Sequence, residues 1–308
     1  MAPDSLKNPS KENLQGNLQK LLLPLGTSLL FAGSFIAGKF TTTDLSPLVT
    51  TWLRYLITLI FLHGLLTIRR RNEFRIDRLD GLRLTSLGVF GVIGYHYFFF
   101  LSLRHTIVTN SAIINATNPI LTALAAAVFL GEILSVKNYL GGVLAFCGVI
   151  LLLTKGDIQN LLTLRLNLGD GFMLLAVLSW VVYALFLKKL ALRYSGFTLS
   201  YYAALSGVVL LSGLIFTENW WEQLQAVSHS SLLATLYMGV GASGIGYLQY
   251  ALSVAKIGPT RTASFVYSFV PKFVALLAGL FFKQAFTLAM GLSMGLIILG
   301  VNLMLSNR

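Results

Sequence analysis

The sequence predicts an all-α membrane protein, with ten transmembrane helices forming two inverted five-helix repeats around a central cavity. Three observations predict it. Of 308 residues, 56% are hydrophobic and only 11% charged, against roughly 45–50% and 25% in soluble domains. So little charge cannot clothe a water-facing surface, which points to lipid as the solvent. Apolar runs of about 20 residues, the length that spans a hydrocarbon core, recur along the chain. Two stretches of the sequence also align with each other at a fixed offset.

Residues 1–20 are polar, with Lys7, Lys11 and Lys20 against Asp4 and Glu12. They read as a disordered cytoplasmic tail. Neither an early apolar run nor a small-residue cleavage site marks a removable leader, so the first apolar run is expected to stay as a helix. The spans fall at 21–38, 47–67, 82–102, 106–130, 135–154, 169–188, 198–217, 230–253, 260–282 and 285–305. Charged or turn-forming residues separate them, as at Asp44 to Pro47, Arg69 to Arg83 and Lys256 to Pro259. Lys283 and Gln284 alone divide the last two. The first repeat is expected over 21–154, a connecting loop over 155–168 and the second repeat over 169–305.

The net charge of +12 would suggest nucleic acid in a soluble protein. Here its placement is informative instead, and no nucleic-acid partner is expected. With the N-terminus inside, 16 Lys and Arg fall on inner segments and 5 on outer ones, while Arg54 and Lys272 lie within helices. That bias sets both termini in the cytoplasm of a bacterial inner membrane. Trp220 and Trp221 in the outer loop suit a membrane interface. The single cysteine, Cys147, lies in an apolar run and can form no internal disulfide. No metal-ligand cluster surrounds it, and no metal or cofactor is expected.

Residues 88–132 align without gaps on 240–284, at an offset of 152, with 8 identities in 45 positions. Tyr95 falls on Tyr247 and Pro119 on Pro271. Phe31 to Lys39 and Trp180 to Lys188 share their spacing at an offset of 149. A five-helix unit duplicated once must be inverted, because an odd number of crossings reverses the second copy. Inverted repeats characterise secondary transporters, with substrate bound near the midplane between the halves.

Several motifs then carry a family resemblance. One is Leu101-Ser-Leu-Arg-His-Thr106 followed by Ser111 through Pro119 and Leu130-Gly131-Glu132. Its second copy is Ala255-Lys-Ile-Gly-Pro-Thr260 followed by Ser264 through Pro271. Arg54-Tyr55, Gly169-Asp170 and Trp180 fit the same pattern. Together the chain resembles EamA-type members of the drug/metabolite transporter superfamily over nearly everything after residue 20. It departs from them in having Phe31 for the usual Trp, Lys283-Gln284 for the second Gly-Glu turn, and Lys272 after the second proline. The resemblance implies a small-molecule substrate, most often an exported amino acid or other metabolite. Other members move drugs, sugars or nucleotide derivatives.

Candidate site residues follow from polarity inside the spans. Lys272 lies near the centre of the ninth span, where a lysine costs about 2.5–3.5 kcal/mol on insertion scales. It is expected to meet a substrate carboxylate or exchange a proton; a structural partner for a carbonyl freed by Pro271 is the alternative. Ser111, Asn115, Asn118 and Thr122 share one helical face beside Pro119. They read as a cavity wall or as polar glue between helices. Tyr267 and Ser268 make a comparable face beside Pro271. Tyr95, His96 and Tyr247 come from the third span and its repeat partner, and Trp180 with Tyr183 from the sixth. Each has a core-packing alternative. Arg54 is placed to snorkel to the outer surface, and Glu132 to make a helix-end contact. Gly291 and Gly295 form a GxxxG pair, which packs within the chain or joins two copies in a homodimer.

A membrane enzyme would need convergent His, Asp or Glu in the helices, yet the four His lie apart at 63, 96, 105 and 229. No P-loop is present. The leading function is therefore secondary export of small metabolites by alternating access, with amino acids first and drug export on the same fold second.

Overall fold

The computed structural model describes residues 9–69, 76–77, 80–131, 133–157, 167–257 and 259–305. Glu132, Arg70, Arg71, Arg75 and Arg78, and most of the connecting loop lie outside these. Among the described residues, ten helices are long and apolar enough to cross a membrane. In the first repeat they are α1 (Pro9–Thr41), α2 (Pro47–Arg69), α3 (Gly81–His105), α4 (Val108–Leu130) and α5 (Val136–Thr154). In the second they are α6 (Leu168–Leu190), α7 (Gly196–Leu214), α8, α9 (Pro259–Phe282) and α10 (Leu288–Leu305). Helix α8 runs from His229–Leu236 through Tyr237–Gly246 into Tyr247–Ile257. A short surface helix, Trp220–Ala226, joins α7 to α8. The observed spans match the predicted ones closely. The tail differs: the chain is already helical at Pro9, twelve residues ahead of the first apolar run. Its Lys, Glu, Gln and Leu are good helix formers.

Starts are set by side chains that take orphan amide hydrogens. Asn167 caps α6, Ser195 caps α7 and Ser228 caps α8. Ser135 and Asn138 form a reciprocal capping box on α5.

Two helices depart from α geometry at equivalent places. A π-helical stretch occupies Gly88–Gly94 in α3 and Tyr237–Gly246 in α8. Both end at glycines related by the 152-residue offset. Such stretches are rare and gather at functional sites. Each glycine admits a neighbour from the opposite repeat: a Cβ on Gly246 would lie 3.0 Å from the Phe31 ring, and one on Gly94 would strike the Ser179 hydroxyl. The next residue in each case is the paired tyrosine, Tyr95 or Tyr247.

The two prolines do not act alike. Helix α4 breaks into Val108–Asn115 and Asn118–Leu130, with Pro119 in the first turn of the second piece. Polar side chains sustain that break: Thr117 Oγ1 donates to the Ile114 carbonyl at 2.7 Å, and Asn118 Nδ2 to Asn115 Oδ1 at 2.6 Å. Helix α9 instead runs unbroken through Pro271, so the expected second helix break is absent. Phe269 and Val270 before it offer no polar group to an opened turn.

Buried side chains form two main apolar cores. One gathers α1, α4, α5, α9 and α10, with parts of α3, α6 and α8, around residues such as Ile113, Val270 and Val301. The other gathers α2, α3, α6 and α7 around Leu87, Leu199 and Leu211. In the first, α5 and α10 touch backbone to backbone at Gly141 and Gly300. Gly291 and Gly295 have no such role: a Cβ on Gly295 would meet nothing, and one on Gly291 would only touch Phe286.

Candidate functional site

Between the repeats lies a cavity of about 820 Å³. Its walls come from α1, α4, α6, α8, α9 and α10, including Asn118, Pro119, Thr122, Tyr183, Tyr250 and Tyr267. At its rim stand Ile133, Lys188 and Ala191, all exposed. These lie where α4 and α6 end, at the same end of the bundle as the start of α1 and the end of α10. The cavity therefore opens on the side of the chain termini.

A narrower recess of about 60 Å³ shares Phe31, Trp180, Tyr247 and Tyr267 with the cavity. Tyr95, His96, Asn115 and Arg54 also line it. Trp180 is the junction: its ring centroid lies 5.0 Å from Tyr95, 4.7 Å from Tyr183 and 6.5 Å from Tyr247. Aromatic groups from both repeats thus meet on one indole, as Phe31 and Tyr247 do at 5.4 Å.

Arg54 is 4% exposed, about 10 Å inside α2 from its start at the helical rise of 1.5 Å per residue. It does not snorkel. Its Nε donates to Ser243 Oγ and its Nη1 to Ser34 Oγ, both at 2.9 Å. Nη1 also contacts Met238 Sδ at 3.8 Å. Nη2 has no protein acceptor, and no carboxylate lies within ion-pair distance, among the described residues. Ser243 is presented by the π stretch of α8, so that irregular turn helps to fix the guanidinium. A buried cation with only neutral partners keeps most of its desolvation cost, several kcal/mol per ion.

His96 is buried at the back of the recess. Its Nδ1 lies 3.0 Å from the Gly91 carbonyl, which only accepts, so Nδ1 carries the proton. The Tyr55 hydroxyl lies beside both ring nitrogens, 3.3 Å from Nδ1 and 3.4 Å from Nε2, of which Nε2 is then the one able to accept. Tyr95 Oη donates to Asn115 Oδ1 at 3.1 Å.

The remaining predicted residues separate. Ser111 is fully buried but pairs with Ser102 at 2.7 Å and reaches neither cavity, so it acts as polar glue. Ser268 is buried and also stands outside both linings. Lys272 is the main correction. It is exposed on the outer face of α9, its Nζ 5.0 Å from the Phe269 ring centroid, and it lines neither cavity. Directly after Pro271, its position on the helix turns it away from the bundle while Val270 and Val274 face in. Sequence reasoning passed over Arg54 and Ser34, which line the recess, and Ser243, which holds Arg54. An intramembrane arginine was the available signal, but its nearness to a helix end favoured snorkelling.

The end opposite the mouth is sealed by polar contacts that join the repeats. Asp170, buried at the start of α6, accepts from Thr106 Oγ1 at 2.6 Å and Asn110 Nδ2 at 3.3 Å. Asp44 accepts from the Ser228 amide at 3.1 Å and from its hydroxyl. The hydroxyls of Ser228 and Ser231 hold the Asp44 carboxyl well below the usual range. Ser46 donates to Glu218 through its hydroxyl and to Gln223 Oε1 through its amide, the latter at 2.7 Å. At the mouth end, Asp80 binds Arg83 at 2.9 Å, Arg193 at 3.1 Å and the Tyr194 hydroxyl at 3.0 Å. Burial pushes the Asp80 carboxyl up, but these donors outweigh it and hold the group down.

Known proteins agree with this architecture. Residues 19–154 and 167–306 each match the EamA-like transporter family, the two segments coinciding with the two repeats. An uncharacterized transporter of Archaeoglobus fulgidus is 30% identical over 80% of this chain and 83% of its own length. The uncharacterized transporter YyaM of Bacillus subtilis is 26% identical over 83% of each chain. A protein of Streptantibioticus cattleyicolor named as a probable terminal-alkyne amino-acid exporter is 26% identical over 64% of each. One crystal structure shares the fold with a TM-score of 0.63 at 20% identity, covering 92% of this chain and 96% of its own. With both repeats matched and the cavity between them, this chain belongs to the EamA-like transporter family.

Proposed function

We propose that this protein is a secondary transporter that exports small metabolites, amino acids first among them, by alternating access between its two repeats. One observation carries the reading: the inter-repeat cavity is open at the end bearing the termini and sealed at the other by contacts across the repeats. A solute entering there needs only an exchange of open and closed ends to leave on the far side. The charge bias of the loops supports termini in the cytoplasm of a bacterial inner membrane, and with that orientation this route is outward. The relative from Streptantibioticus cattleyicolor named as a probable terminal-alkyne amino-acid exporter supports the substrate class.

No Asp or Glu lines either cavity among the described residues. The substrate gradient alone is therefore expected to drive flux. Purified protein in liposomes should move at least one of the twenty labelled amino acids saturably, at the same rate with or without a pH gradient. Absence of flux for all twenty would overturn the substrate class. A rate that rises with the gradient would overturn the uncoupled mechanism.

A further inference from the structure

We propose that Arg54 is the anion-binding group of this transporter, and that its substrates carry a single carboxylate, which enters the recess while an apolar body fills the wider cavity. The inference deepens the transport reading and rests on it.

Four observations converge. Arg54 is buried, lines the recess and among the described residues has only neutral partners, two hydroxyls, a thioether and the Tyr55 ring at 5.9 Å, which leave its charge without a counter-ion. Its Nη2 has no acceptor among the described residues, while Ser34 and Ser243 hold the other two nitrogens from opposite repeats. A guanidinium fixed at one edge and free at another is prepared for an oxyanion. The recess, at about 60 Å³, holds a few water-sized groups, which suits a carboxylate but not a whole metabolite. Among the described residues no other Lys or Arg lines the recess, so a single negative charge is matched. The cavity beyond it is walled by Phe31, Trp180, Tyr247 and Tyr267, faces that suit an apolar body. Because Ser34 lies on α1 and Ser243 on α8, an anion drawn to Arg54 also couples to both halves of the fold.

Three probes of one body separate the contributions: 3-phenylpropanoate, 3-phenylpropanamide and phenyl phosphate, titrated calorimetrically into the protein in lipid nanodiscs. The propanoate should bind at least tenfold more tightly than the amide and than the dianionic phosphate. Arg54→Gln should abolish the preference for propanoate over amide, Arg54→Lys should keep part of it, and Lys272→Leu should leave it intact. If Arg54→Gln fails to fold, the wild-type comparison still decides, together with Ser34→Ala and Ser243→Ala, each expected to weaken propanoate binding several-fold without affecting the amide. Equal binding of propanoate and amide, tighter phosphate binding, or a preference retained in Arg54→Gln would overturn the proposal. Arg54-dependent propanoate binding without flux of any amino acid would retire the amino-acid reading and keep this site. Amino-acid flux undiminished in Arg54→Gln would do the reverse.

Discussion

Bridging positions 44 and 228 across the sealed end is expected to stop transport. Asp44 lies in the connection from α1 to α2, and Ser228 caps α8 in the other repeat. Their contact, with those of Ser46 to Gln223 and Asp170 to Thr106, closes the end away from the mouth. Alternating access requires that these contacts part in every cycle. A cross-link there costs nothing in the observed state, since the two groups already touch, but forbids the other one. The test uses Asp44→Cys and Ser228→Cys together, with the natural Cys147, which is exposed, replaced by serine. A short reducible bis-thiol reagent should lower flux more than tenfold, and a reductant should restore it. Full flux in the bridged protein would mean that this end does not open.

The second large effect concerns α5 and α10. A Cβ on Gly141 would lie 2.5 Å from the Gly300 carbonyl oxygen and 2.6 Å from the Met304 amide, and a Cβ on Gly300 would lie 2.5 Å from the Gly141 carbonyl oxygen. Both obstacles are backbone, which cannot swing aside. Asn138 Nδ2 binds the Met304 carbonyl in the same interface and fixes its register. In lipid, close packing of small residues stands in for the hydrophobic effect between helices. Gly141→Ala or Gly300→Ala should therefore destabilise the protein by about 2 kcal/mol or more, at the upper part of the usual overpacking range. Gly295→Ala, which meets open space, should be neutral. Thermal unfolding in detergent checks this contrast. Equal midpoints for Gly300→Ala and Gly295→Ala would show that the two helices do not rely on this approach.

The spans were legible in the sequence because a bilayer demands a long apolar run, and the duplication because Tyr95 and Pro119 recur at a fixed distance. Side-chain direction was not legible. Lys272 and Arg54 are both intramembrane cations, and hydropathy values them alike. What separates them is helix phase: Arg54 faces Ser34 and Ser243, whereas Lys272 faces outward beside Phe269. The prolines carry the same lesson. Pro119 and Pro271 align, yet ahead of Pro119 Thr117 takes a freed carbonyl and Asn115 and Asn118 pair across the break, whereas Phe269 and Val270 offer neither. The π stretches left a trace in the sequence, the glycines around Gly94 and Gly246, but a glycine pattern alone does not distinguish an extra residue per turn from close helix packing. One non-glycine departure is also informative. Lys283 sits at the offset position of Gly131, and both are left-handed, at φ of 51° and 68°. The turn was kept in the second repeat at a lysine, despite a cost on the order of 1 kcal/mol.

The central claim is that one cavity is offered alternately to the two faces. Single cysteines at 188, on the rim, and at 228, in the seal, test it most directly when Cys147 is replaced by serine. Their reaction rates with a membrane-impermeant thiol reagent would be compared with and without a saturating transported solute. Opposite changes are expected: position 228 becomes more reactive as position 188 becomes less so. Rates that are both unchanged, or that move in the same direction, would contradict it.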